Sequence, residues 1–457
     1  MKRRIVTRIF SLLLAVLCLL APVGSAMAAS YEWGTASGED GKRYARINGY
    51  HGTETVIVVP LELGGLPVHG FAKGGVFNEV KNTLTAVYCH SGVTNLPANM
   101  FDGYPALQTV SLSEGATYIG NYAFRGCISM TEPNLPSTIT EVGTGAFANC
   151  TGISSFHMQN IVSISTSLFD GCTNLTSLTL TSAQKGISAY ALRGTPLTSL
   201  TFPEGLETVH GNAFTGSNLS YIWLPDSVTT VKADAFEGTG STLTTIRWPA
   251  GTPHVRGWLF KDCASLKNVI LPEGVLGIST AYESDSKAFM GCTGLETMDF
   301  PDSLEAIGSS SFEDCTSLRS VTFGSKLQKI GSSAFANTAL TTVYLPSGVT
   351  SINKNSFPTG CAIICPDNSN TAAALKTAGL ALTAPSVLDL PADVVTIEAC
   401  AFLGTDAEMV IIPEGCVSIG SRAFADMPNL RYVQVPAGTS VAADAFEGCS
   451  LVEYIEY

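Results

Sequence analysis

Hydrophobic residues return along this chain at one interval. A Phe, in most cases following a small residue, stands at positions 101, 124, 147, 169, 214, 236, 260, 289, 312, 335, 357, 402, 424 and 446, and Phe77 opens the series in GGVF. Leu192 fills the gap between Phe169 and Phe214. Most steps are 22 to 24 residues. A full period is LRSVTFGSKLQKIGSSAFANT, Leu318 to Thr338. Its Val-x-Phe piece alternates apolar and polar residues with period two, which predicts a short strand. Pro203, Pro225, Pro272, Pro301 and Pro346 close such strands, because Pro lacks the amide that would continue a ladder. The Gly of the following Ile-Gly suits a turn with positive φ.

One unit of about 23 residues is too small to bury its own apolar face, whereas stacked units bury each other's. The predicted fold is therefore a β-rich solenoid of 16 to 17 coils with a parallel sheet. At ~4.8 Å per strand, such a stack runs for roughly 80 Å. The structural ladder is expected to include Phe124, Phe147, Phe169, Phe312 and Phe335. In Leu-x-x-Val-x-Phe, the residue before the Val and the one after it point outward. Along most coils these positions hold Ser and Thr. Tyr221 and Trp223 share one strand, with Arg247 and Ile270 on the next two. Aromatic and Arg side chains dominate binding hot spots, so these four are the candidate contact residues. Trp248, at an inward strand position, and Trp258, ahead of a Phe anchor, are expected in the core.

The N-terminus carries another pattern. Lys2, Arg3, Arg4 and Arg8 precede an apolar run from Leu12 to Ala21, and Ala26-Met27-Ala28 is a small-x-small site. This predicts a secretory signal peptide, residues 1–28, cleaved after Ala28. The run is short for a membrane anchor, and no later stretch reaches bilayer length. Removing the signal leaves 21 basic against 38 acidic side chains, a net charge of −17. That charge repels nucleic acid phosphates and anionic lipid. The expected location is secreted or at the cell surface.

Twelve cysteines follow the signal. Cys127, Cys150, Cys172, Cys263, Cys292, Cys315 and Cys449 all sit three residues after the anchor Phe; elsewhere the position holds Thr195, Ser217, Thr239, Thr338 or Thr405. The position wants a small buried side chain, and a thiol satisfies that. Side chains stacked in register aim poorly for a disulfide. Cys361 with Cys365, or Cys400 with Cys416, are the remaining candidate bridges. The six histidines are scattered, and no metal-ligand spacing, phosphate loop or nucleophile elbow is present. The sequence thus predicts no catalytic residue, cofactor or metal. Glu283 and Asp285 are too few oxygens for calcium and read as a solvated loop.

The phrases IGSSAFANT, YIGNYAFRGC and SIGSRAFADM resemble the BspA-like leucine-rich repeat family, as do SLTFPEGLETV and TVYLPSGVTSI. The stretch from Tyr44 to Phe71 resembles that family's opening cap, and CAIICPDNSNTAAALKTAG its strand-plus-helix closing unit. The resemblance implies a β cap over 29–76, a solenoid over 77–383 ending in an atypical helical coil, and further repeats over 384–457. A helix is expected over 371–378 with Gly379 as its C-terminal cap. The 45-residue step from Phe357 to Phe402 favours one continuous solenoid; the other arrangement is two blocks joined near Thr383-Ala384-Pro385. Extra residues around Ser279 to Ser286 form a loop. By resemblance the function is macromolecular binding, as a bacterial surface adhesin with a host-matrix or neighbouring-cell protein partner. A glycan ligand and a role as structural spacer of the envelope are the alternatives.

Overall fold

A computed structural model describes residues 30–38, 40–239, 241–280, 286–365, 369–381, 386–450, 452 and 454–456. The signal segment, Glu283, Asp285 and the 383–385 junction lie outside the described residues. Among the described residues the chain forms a β-solenoid of about 17 turns with parallel sheets and one short α-helix. It divides into two compact units, residues 1–239 and 240–457.

In the first unit the cap precedes the coils. Tyr31–Ser37 lies antiparallel to Arg43–Tyr50, which runs parallel to Leu66–Phe71. Tyr50 and Phe71 place their rings 5.6 and 5.8 Å from Phe77, the first anchor of the stack. The cap therefore closes the apolar end that a terminal coil leaves open.

Most coils then contribute two strands. The first holds three residues, as in Ser155–His157 paired in parallel with Ser177–Thr179. The second holds two, as in the run Ser163–Ile164, Gly186–Ile187, Thr208–Val209 and Thr230–Val231. In both, the outward residue is polar and its neighbour is buried, as the period-two pattern requires. The second unit repeats this with His254–Val255, Gly277–Ile278, Ala306–Ile307, Lys329–Ile330 and Ser351–Ile352 in one ladder.

A third ladder runs through the Phe turn. The amides of Asn99, Phe101 and Gly103 donate to the carbonyls of Asn121, Ala123 and Arg125 on the next coil, at 2.8, 2.7 and 2.6 Å. The residues two before and two after the Phe have left-handed backbone. Tyr122 and Gly126 have φ of 57° and 70°; Ser310 and Asp314 have 55° and 61°. The positive φ expected at the Ile-Gly glycine therefore falls elsewhere. That glycine is needed for closeness: a Cβ on Gly120 would lie 2.4 Å from Ala98 N, and one on Gly331 2.6 Å from Ser309 N.

The anchor rings form a stack. Phe101, Phe124, Phe147 and Phe169 follow one another at 5.6, 5.2 and 5.9 Å between centroids. In the second unit Phe289, Phe312, Phe335 and Phe357 repeat at 5.2, 5.3 and 5.3 Å. Leu192, fully buried, takes the ring's place in its coil. The helix Asn370–Ala378 starts at Ser369, whose hydroxyl accepts from Ala372 N at 3.1 Å, and stops at Gly379 with φ 70°.

Candidate functional site

The strand faces offer the candidate surface, and each unit is described by itself. In the first, Tyr221–Trp223 buries Ile222 and leaves Tyr221 41% and Trp223 57% exposed. The coil sequence forces this: the central residue must enter the core, so both aromatics leave it. Ser155, His157, Ser177 and Thr179 stand at equivalent exposed positions. In the second unit, Thr245–Arg247 and Asn268–Ile270 pair in register, with Arg247 opposite Ile270. Arg247 is half-buried and Ile270 is 47% exposed.

Two outward positions do not reach solvent. Tyr344, the residue after Val343, and Tyr432, the residue before Val433, stand at outward positions of the strand pattern, yet they are buried in one cluster with Ile364 and Met409. Trp248 is fully buried, and its indole donates to Thr252 O at 2.9 Å. Trp258 departs from expectation. It holds the left-handed position two before Phe260, with φ 66°, and is 39% exposed. Lys287 Nζ lies 4.8 Å from its ring centre. The left-handed turn aims this position outward, where Asn99, Tyr122 and Ser310 also stand.

The same turn edge carries two matched groups that the pattern reading overlooked. Arg125 donates from Nε and Nη2 to Asp102 on the preceding coil at 2.8 and 2.6 Å, and stacks 4.8 Å from the Tyr122 ring centre. Arg193 does the same with Asp170, at 2.8 and 2.5 Å, and with Tyr190 at 4.8 Å. The signal was present in NYAFRG and AYALRG: Tyr two before the anchor, Arg one after it.

The cysteine position is built as part of the stack. The thiols of Cys127, Cys150 and Cys172 donate to the carbonyls of Phe101, Phe124 and Phe147, each on the preceding coil, at 3.2, 2.9 and 3.0 Å. Cys292 and Cys315 repeat this toward Phe260 and Phe289, at 3.2 and 3.1 Å. Where Thr holds the position it turns back instead. Thr195 and Thr239 donate to Leu192 O and Phe236 O of their own coils, at 2.7 and 2.8 Å. Burial pushes the Cys127 thiol up to about 12, and raises those of Cys150, Cys172 and Cys292 well above the ordinary range. Cys361 and Cys365 are not bridged, and neither are exposed Cys400 and buried Cys416.

A model of the BspA-type leucine-rich repeat region matches residues 94–217, 185–282, 282–368 and 383–457. The chain belongs to the BspA-type leucine-rich repeat family. This is a bacterial surface-type family, and leucine-rich repeat solenoids generally mediate protein binding. A leucine-rich repeat protein from Bacteroides ovatus is similar in structure, with a TM-score of 0.55 at 20% identity, over 74% of this BspA-type chain and 98% of its own. A leucine-rich cell surface protein from Faecalibacterium prausnitzii aligns over 93% of both chains at 22% identity, with a TM-score of 0.40. No curated protein matches the sequence. No described helix of this BspA-type protein is long and apolar enough to cross a membrane.

Proposed function

We propose that this is an exported, surface-acting binding protein that engages a protein partner through its outward strand faces. The carrying observation is Trp223, 57% exposed beside Tyr221 on a strand whose only inward residue is Ile222. Trp and Tyr are among the residues from which interface hot spots are built. In the second unit, Arg247 and Ile270 are the corresponding contact residues. The family's surface character and the basic-then-apolar N-terminus support export, with cleavage after Ala28. An adhesin role, toward a matrix or neighbouring-cell protein, is the reading these features favour.

The test is binding of the chain from Ala29 onward to immobilised matrix proteins and to a glycan array, with Trp223→Ala and Arg247→Ala beside it. Loss of a hot-spot Trp costs about 2 kcal/mol or more, roughly a 30-fold weakening. Such weakening on a protein ligand supports the reading. Capture on glycans alone assigns the exposed aromatics to sugar rings. Binding that neither substitution weakens removes these residues from the site, and no binding at all leaves the envelope spacer. Mass spectrometry of the exported chain checks the cleavage point.

A further inference from the structure

The coils after the helix stand in an unusual relation to those before it. Ala362–Ile364 pairs with Thr342–Tyr344. Val387–Asp389 belongs to another ladder, with Met409–Ile411, Tyr432–Gln434 and Tyr454–Glu456. Among the described residues these are two separate sheets. Yet Tyr344, Ile364, Met409 and Tyr432, all outward from their strands, are 7, 3, 0 and 1% exposed. They form one cluster, with Val387 and Ile411 packed against it. Outward side chains of two sheets become buried together only when one face covers the other.

We propose that residues 386–457 form a self-contained block docked strand face to strand face on the coils at 342–364, and that the same docking can be made by this block from a second copy of the chain. Three observations carry it. The block has its own core, in which Val410, Ile419, Phe424 and Val433 pack together without any residue before Leu388. Its anchors Phe402, Phe424 and Phe446 stack at 5.3 and 5.4 Å as a complete short ladder. The docking cluster is separate from that core, so the face can part without unfolding the block. The polypeptide joins the two parts once, after the helix that ends at Ala378. Two self-supporting parts, one connection and an apolar contact between them are the conditions for exchange between identical chains. Within one chain the block acts at a high effective concentration, on the order of millimolar. Exchange therefore prevails where copies are crowded. This inference goes beyond the binding role proposed above and does not depend on it.

Two complementary variants test it in the full mature chain. Tyr344→Ser with Ile364→Ser removes the receiving face; Met409→Ser with Tyr432→Ser removes the block's face. Each alone is expected to raise amide hydrogen exchange of the opposite face, at residues 409–411 for the first and 342–344 for the second, about tenfold or more, since that face is no longer covered. Mixed under different tags, the two are expected to co-purify, because the intact block of the first fits the intact face of the second. Unchanged hydrogen exchange in either variant overturns the docking. Opened variants that never co-purify overturn the exchange. Should a variant lose its cooperative unfolding transition, wild-type chain refolded at high concentration decides by light scattering. A dimer that survives dilution supports exchange, and monomer alone overturns it.

Discussion

At the scale of single residues, stacking sets the demands. The ladder thiol contacts the core and donates to the preceding coil's Phe carbonyl, a carbonyl that the turn's own amide only half satisfies. Cys150→Ala removes both, and is expected to destabilise by about 1–2 kcal/mol in urea melts. Phe312→Ala opens a ring-sized void between two stacked neighbours and is expected to cost about 3–5 kcal/mol. The titration of the thiols has a definite sign. Burial raises the ionisation of Cys127, to about 12, and of Cys150, Cys172 and Cys292, so the unfolded chain releases these protons first. Stability is then constant below the ordinary thiol range and falls as pH rises through 9 toward 12, by about 1.4 kcal/mol per thiol per pH unit. Urea midpoints at pH 7, 9 and 10 check this. At pH 8 a thiol reagent is expected to label exposed Cys400 in the native protein and the buried ladder thiols, such as Cys127 and Cys150, only after unfolding.

At the scale of the element, the coil is held by three ladders rather than the one that its hydrophobic pattern announces. Two of its special positions have opposite requirements. Gly308 accommodates the preceding backbone, since a Cβ there would lie 2.0 Å from Ser279 O. Gly308→Ala is therefore expected to destabilise by about 1–3 kcal/mol. Ser310 holds a left-handed conformation at φ 55°, so Ser310→Gly is expected to stabilise by roughly 1 kcal/mol. Opposite signs two residues apart, read by thermal unfolding, would establish which glycine rule applies where. The inward Phe and strand residues were legible because period alone assigns them. The reason for the Ile-Gly glycine was not, because positive φ and close approach select the same residue. Trp258 was misplaced for a related cause: its neighbour Leu259 and anchor Phe260 are core, but an intervening left-handed turn reverses its direction.

At the scale of the whole molecule, contacts run mostly between neighbouring coils, so stability is a sum of coil terms and nearest-neighbour terms. The cap contributes one such term. Tyr50 and Phe71 cover Phe77, and deleting residues 30–76 is expected to expose that ring and cause aggregation, seen as loss of the monomer peak in gel filtration. The excess of acidic over basic side chains, 38 to 25, favours partners with basic surfaces and predicts weaker association as salt rises.

A 23-residue rhythm of Leu, Val, Ile and Phe determined the solenoid, its inward face and the anchor stack, because a repeated unit has only its neighbours with which to bury apolar surface. Tertiary structure decided which outward residues meet water. Trp223 and Tyr344 occupy the same strand position, yet one is exposed and the other covered. Local periodicity tells which way a side chain points and nothing about what the chain, 65 to 88 residues later at Met409 and Tyr432, brings to lie across it.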